Sequence, residues 1–300
     1  MDSKSLRVGF MGAGRAGTAL ALALHHKGYA VSAVASRTPA SALALAERID
    51  GCVPHAKAQQ VADDCDLVFI TTPDDAIETV AKELRWRRGT WVVHCSGAKS
   101  AAVLEGAREQ GAMVGSFHPM QTFPGAGGAG VELSGVAFAV EGPPPLLETL
   151  KEMAHALGGW PVEIRPQDRA LYHLSGFLAC GAVITLLAEA AGLWKVMGYS
   201  REQGLEVLLP LLQTTVNNLG EQGILASLTG PISRGDVGTV QRHLDALESQ
   251  APSVLPLYCQ VALGTVALAR EKGGIDKAKE RELVGLLEER LARARGLFVG

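Results

Sequence analysis

The chain has 300 residues, 47% of them hydrophobic and 20% charged, with a net charge of −3. That composition suits a soluble protein with room for two domains and excludes a disordered chain; without a long basic run it also excludes nucleic acid as the main partner. Cys52, Cys65, Cys95, Cys180 and Cys259 stand far apart with no C-x-x-C pair, and the eight histidines show no zinc-like spacing, so free thiols and no structural metal are expected. Met1-Asp2-Ser3-Lys4-Ser5 carries no apolar signal region, which makes the cytoplasm the expected compartment.

The stretch Val8-Gly9-Phe10-Met11-Gly12-Ala13-Gly14-Arg15-Ala16-Gly17, continuing through an alanine- and leucine-rich run to His26, sets a short apolar strand, a G-x-G-x-x-G turn and a helix in succession. This is the context in which such glycines hold a dinucleotide. Gly12 permits the tight turn, Gly14 lets the backbone approach a pyrophosphate, and Gly17 lets the helix pack on the sheet while the amides of its first turn face negative charge.

The following strand, 29–35, ends in Ser36-Arg37-Thr38, and no Asp or Glu lies between Gly17 and Glu47. An NAD site places an acid here to accept ribose hydroxyls, whereas a 2′-phosphate needs cations and hydroxyls. Ser36, Arg37 and Thr38 therefore predict NADP, with a solvated loop charge as the plainer account of Arg37. The missing acid also counts against FAD and against an adenosyl-dependent methyltransferase.

Further apolar runs at 67–71, 91–95, 113–117, 136–140 and 162–164 alternate with helical patterns at 39–50, 76–84, 100–110 and 144–157. That alternation predicts an α/β fold, a Rossmann-type doubly wound and mostly parallel sheet. From about residue 167 the strand signals stop and helical periodicity takes over, broken near Gly198, Gly230-Pro231, Pro252 and Gly273-Gly274. We expect a nucleotide domain over 1–165 and an all-α domain of about five helices over 166–300. The uncharged run 174–188 is about fifteen residues long, short of the roughly twenty that span a bilayer. It reads as a buried central helix, and no membrane partner is expected. The glycine-rich run 124–130 reads as a mobile loop beside a site or as a spacer.

Ligands in an open α/β sheet lie beyond the carboxyl ends of the strands. Thr71, Thr72 and Pro73 close one strand, and His94, Ser96 and Gly97 the next, so both turns are expected to flank the ribose and nicotinamide. Thr72-Pro73 can equally open a helix, and Ser96 can equally cap one. His118 ends a strand and His173 starts the interdomain helix. Either suits a proton donor, because an unperturbed imidazole titrates near pH 6.5, and either can equally be a hydrogen-bonded structural histidine. Tyr172, one position from His173, is a weaker candidate. Arg234 could hold a substrate carboxylate, Asn218 could reach the same cleft, and Asp236 reads as a helix cap.

The strand-end segments Thr71-Thr72-Pro73-Asp74, His94-Cys95-Ser96-Gly97 and Ser116-Phe117-His118-Pro119-Met120 are joined by Leu171-Tyr172-His173 and by Leu228-Thr229-Gly230-Pro231-Ile232-Ser233-Arg234-Gly235-Asp236. Together they resemble a bacterial family of Rossmann-like NADP-dependent oxidoreductases with an uncharacterised helical C-terminal domain. That family is similar to pyrroline-carboxylate reductase, ketopantoate reductase, the deazaflavin-dependent NADP oxidoreductases and the 6-phosphogluconate dehydrogenase group. The resemblance implies a C-terminal domain of the 6-phosphogluconate dehydrogenase class, dimerisation through it, and Met120 among the substrate contacts. Two departures stand out. No lysine occurs in 167–194, where hydroxyacid dehydrogenase relatives carry a catalytic one, and Gly181 stands where the family pattern has an asparagine.

The expected activity is hydride transfer between NADPH and a small carbonyl or imino acid in the interdomain cleft of a homodimer, with His173 or His118 assisting protonation. The competing expectation is a non-catalytic NADP-binding sensor or scaffold.

Overall fold

The computed structural model describes residues 3–123 and 132–297; the glycine-rich run at 124–130 lies outside them. The chain divides into two compact units, Met1–Ala179 and Cys180–Gly300. The loss of strand signals marks 165/166, but the first helix after that point packs with the preceding strands and belongs to the first unit.

The first unit opens with β1 (Arg7–Met11), α1 (Arg15–His26), β2 (Ala30–Ala35), α2 (Pro39–Ala46), β3 (Val53–His55), α3 (Ala58–Asp64), β4 (Leu67–Ile70) and α4 (Ile77–Glu83). It continues with β5 (Trp91–His94), α5 (Glu105–Arg108), β6 (Met113–Pro119), β7 (Ala137–Glu141), α6 (Leu146–Ala156), β8 (Trp160–Glu163) and α7 (Arg169–Ala179). One eight-stranded sheet runs in the order β3-β2-β1-β4-β5-β6-β7-β8. All pairings are parallel except β6 with β7. The strand order reverses between β1 and β4, the switch point of a doubly wound sheet. The pair β3 and α3 has no counterpart among the expected elements. With Val53 and Pro54 exposed and only three residues long, β3 has no apolar alternation to read, and its proline is tolerated because the strand forms an edge.

Phe10, Phe69, Phe117 and Phe138 line one face of the sheet, with centroids 5.1, 5.9 and 4.8 Å apart in turn, the outer two pairs stacked and Phe69–Phe117 edge-on. Each is fully buried, which fixes the facing of its strand. Because side chains alternate along a strand, burying Phe117 on this face sends Ser116 and His118 to the other. There they meet α7: Arg169 reaches Ser116, and Tyr172 reaches His118. Residues three apart share a helix face, so one side of α7 serves both strand positions.

In the second unit, α8 (Gly181–Val196) and α9 (Arg201–Ser227) pair with each other, while α10 (Val237–Gln250), α11 (Leu255–Glu271) and α12 (Lys277–Leu297) enclose a core containing Val240, Leu244, Val266, Leu283 and Leu287. The run expected to be a buried central helix is instead divided at Cys180 between α7 and α8 and is largely exposed: Phe177 is 57% and Ile184 64% accessible. The single chain offers these side chains too few apolar neighbours to cover them. By length and composition alone, the helical stretches Pro166–Val196 and Pro252–Glu271 could each cross a bilayer, which the shorter uncharged run did not suggest. Against a span, Arg169 ties the start of the first stretch to the sheet, and buried Cys259, Ala262, Val266 and Ala269 place the second in the core.

Candidate functional site

The turn after β1 is built as its glycines predict. Gly12 has φ 116°, its amide donates to the Ala35 carbonyl at 2.8 Å, and its own carbonyl accepts from Thr71 Oγ1 at 2.6 Å. A β-carbon on Gly17 would run into that same carbonyl and come within 2.5 Å of Thr71 Oγ1. At Gly14 a β-carbon would meet open space. No side chain caps α1, so the amides of Arg15, Ala16 and Gly17 open the helix towards that space.

A cavity of about 520 Å³ occupies the switch point. Gly12, Ala13 and Gly14 line it together with Ser36, Arg37 and Thr38 from the end of β2 and Thr71, Thr72 and Pro73 from the end of β4. The sequence did not mark Ser41, Ala56, Ala58, Ala76 and Val80, which complete the wall with the strand-end residues Met11 and Ala35. Ala56 and Ala58 arrive with β3 and α3, so no local pattern marked them. The residues fit a phosphorylated dinucleotide. No carboxylate lines the cavity, a guanidinium stands among three hydroxyls, and Thr72 Oγ1 is buried without a hydrogen-bond partner at its wall.

Ser96 and Gly97 do not line this cavity; they belong to a second cluster at the carboxyl ends of β5 and β6. His94 is fully buried, with Nδ1 accepting from the Ser96 amide at 3.1 Å and Nε2 3.0 Å from the Ser100 carbonyl. This assigns the ring proton to Nε2, and burial depresses the His94 pKa to about 4. Ser96 Oγ donates to Asp74 Oδ2 at 2.6 Å and accepts from the Lys99 amide at 3.2 Å, so it braces the two strand-end loops and does not cap the helix that follows. A β-carbon on Gly97 would lie 2.7 Å from His118 Nε2 and 2.8 Å from His173 Cδ2. Gly97 is thus the floor on which both candidate imidazoles rest.

Adjacent positions on α7 both reach His118. Tyr172 Oη lies 2.9 Å from His118 Nδ1, and the His173 ring stands edge-on with a centroid separation of 6.3 Å. Neighbours on a helix do not share a face, yet both side chains stand against the His118 ring. Burial first, then His173 and Arg169, lower the His118 pKa to about 4. Burial pushes the Tyr172 phenol up to about 12. Beneath this cluster Arg169, 1% accessible, donates to Ser116 Oγ and, at 3.0 Å, to Glu141 Oε2.

Met120 packs its sulfur where a β-carbon on Gly176 of α7 would be, 2.8 Å away. Asn218, half-buried on α9, and Arg234, exposed in the turn Ile232–Arg234, belong to the second unit. Asp236 caps α10, accepting from the Thr239 amide at 3.0 Å.

Residues 1–119 match the Rossmann-like domain family, and residues 136–265 match DUF2520, a domain of unknown function. No curated protein matches the chain. Among solved structures it is similar to the "putative NADP oxidoreductase BF3122" of Bacteroides fragilis, with 26% identity, TM-score 0.72 and coverage of 89% of this chain and 100% of that one. The reductive aminase of Aspergillus terreus in complex with NADPH and ethyl-5-oxohexanoate is 20% identical, with TM-score 0.62 over 97% of this chain and 95% of that one. The pyrroline carboxylate reductase of Plasmodium falciparum with NADP bound is 15% identical, with TM-score 0.58 over 90% and 98%. At those two identities the likeness is one of fold. The chain therefore joins a Rossmann-like domain to a DUF2520 domain in the fold shared by these NADP oxidoreductases.

Proposed function

We propose that this protein is an NADPH-dependent oxidoreductase that reduces a small carbonyl or imino acid. The observation that carries the reading is the switch-point cavity, where Arg37 stands among Ser36, Thr38 and Ser41 with no carboxylate. The solved neighbours support it, since those described with a bound cofactor hold NADPH or NADP. When bound, the cofactor would supply a hydride. The amides of Arg15, Ala16 and Gly17, with Gly12, Ala13 and Gly14, would hold its diphosphate, and Ser36, Arg37 and Thr38 its 2′-phosphate. Thr71, Thr72, Pro73, Ser96 and Gly97 remain the residues proposed beside its ribose and nicotinamide. His118 and His173 remain the residues proposed beside the reacting atoms, whichever group there gives the proton, and Met120, Asn218 and Arg234 the substrate contacts. A second copy of the chain is proposed to cover the exposed apolar residues of α7, α8 and α9.

The test is a titration of NADPH and NADH into wild type and Arg37→Ala, followed by oxidation assays with pyruvate and pyrroline carboxylate. Losing a charge-assisted contact to the 2′-phosphate should weaken NADPH by about tenfold or more and leave NADH nearly unchanged. An equal effect on both would remove Arg37 from the site. A sensor that binds NADP without turnover is the second reading, favoured by an uncharged His118 and by the absence of lysine in 167–194. Tight NADPH binding with no oxidation across a broad carbonyl and imine panel would select it.

A further inference from the structure

The geometry points to Tyr172 as the group that delivers the proton in this reduction, with His118 as the residue that positions it. The inference rests on the reductase reading above and assigns its acid.

Tyr172 and His173 stand side by side on α7, but only one is held. The Tyr172 hydroxyl lies 2.9 Å from His118 Nδ1, and the two rings meet edge to face at 85° with centroids 5.5 Å apart. Gly97 backs His118 from the Nε2 side, and Arg169, one helical turn before Tyr172, anchors α7 on Ser116 and Glu141. His173 is exposed and makes no side-chain hydrogen bond among the described residues. A phenol fixed from two sides meets the positional demand on a general acid better than a ring held only by stacking.

The protons can be counted. The phenol has one. Besides the imidazole, its acceptor is the His118 carbonyl at 3.4 Å, well beyond the usual O–H···O separation of about 2.8 Å. With the ring proton on Nδ1, His118 donates to Oη and leaves the phenol proton on that weak contact, the one it would exchange for a substrate heteroatom. Burial favours the uncharged form of both partners, drawing the His118 pKa down to about 4 and pushing the Tyr172 phenol up to about 12. An imidazole without its second proton cannot serve as the acid, whereas the phenol retains its proton and can.

In the step itself, the bound cofactor would supply two electrons as hydride to the substrate carbon. The Tyr172 O–H bond breaks, and a new O–H or N–H bond forms on the substrate heteroatom. That heteroatom, as it gains charge, is a stronger base than a phenolate, so the proton moves downhill. The phenolate left behind accepts from His118 Nδ1–H until water reprotonates it.

The test has two arms. By nitrogen NMR of imidazole-labelled protein, wild-type His118 should carry its proton on Nδ1, and Tyr172→Phe should shift that resonance. In assays with NADPH and either pyruvate or pyrroline carboxylate, Tyr172→Phe should lower kcat at least about tenfold while the NADPH Kd changes less than about twofold. A proton found on Nε2 in wild type, or a kcat that survives in Tyr172→Phe, overturns the assignment and leaves the reductase reading standing. Wild-type protein that oxidises NADPH with neither probe nor any member of the carbonyl and imine panel overturns the reductase reading and this inference with it.

Discussion

Arg169 Nη2 lies 3.0 Å from Glu141 Oε2, a buried ion pair that joins the first residue of α7 to the last of β7. The same nitrogen donates to Ser116 Oγ, while Nε and Nη1 have no partner among the described residues. Glu141 Oε1 meanwhile accepts from the Ala101 amide at 3.1 Å, so the carboxylate secures the helix from one side and the loop after β5 from the other. Removing the guanidinium alone would strand that carboxylate, at a cost of about 3 kcal/mol. Arg169→Met should therefore lower stability strongly, and Arg169→Met combined with Glu141→Gln less than the two singles sum to. Urea unfolding of the three variants measures the coupling.

The glycine turn separates folding from binding. A β-carbon at Gly17 meets the backbone carbonyl of Gly12, which cannot swing aside, whereas one at Gly14 meets nothing within 4 Å. Gly17→Ala should lower Tm and weaken NADPH together. Gly14→Ala should keep the wild-type unfolding free energy to within about 0.5 kcal/mol and still weaken NADPH at least about tenfold, because its added methyl fills the space proposed for the diphosphate. Thermal unfolding beside a fluorescence titration distinguishes the two.

His94 makes stability pH-dependent. Its folded pKa is depressed to about 4, first by burial, while the Ser100 carbonyl and Asp74 act in the raising direction and Arg169 and Lys99 in the lowering one. The unfolded chain, with an ordinary imidazole near pH 6.5, then binds more protons than the folded chain between those values. Its contribution is fully present above about pH 6.5 and is lost as pH falls towards 4, by an amount on the order of 3 kcal/mol. His118 adds in the same direction. Urea midpoints at pH 7 and pH 5 should differ, and His94→Asn should reduce the difference. An unchanged difference in that variant would place the titration elsewhere.

The apolar surface of the helices should govern assembly. Leu171 at 68%, Phe177 at 57%, Ile184 at 64% and Leu211 at 65% accessible make α7, α8 and α9 costly to leave in water. Wild-type protein is expected to run as a dimer by light scattering, and Phe177→Glu with Leu211→Lys to dissociate it. A monomeric wild type at micromolar concentration would contradict the proposed second copy.

Local signals carried much of this. The alternation of apolar runs and helical patterns gave the doubly wound sheet because strand and helix periods are properties of consecutive residues. Arg37 and the missing acid after β2 could be placed in the cavity for a similar reason, since a strand end and its following loop keep their order in space. The pattern did not show that β7 runs against β6. Parallel pairing needs a crossover helix, and the glycine-rich connection offers no helical pattern, but strand sequences alone do not state their direction. Nor did it reveal β3 and α3, whose residues supply one wall of the cavity.

The sequence by itself determined where a dinucleotide turn sits and which charges follow it, since both depend on neighbours within a few tens of positions. Only the tertiary structure decided that Gly97 supports two imidazoles, that Tyr172 meets His118 from 54 positions away, and that Arg169 is buried on Glu141. Those relations arise when alternation along β6 and the turn of α7 bring side chains to one face. The burial that follows changes their proton affinities, and no reading of either segment alone contains it.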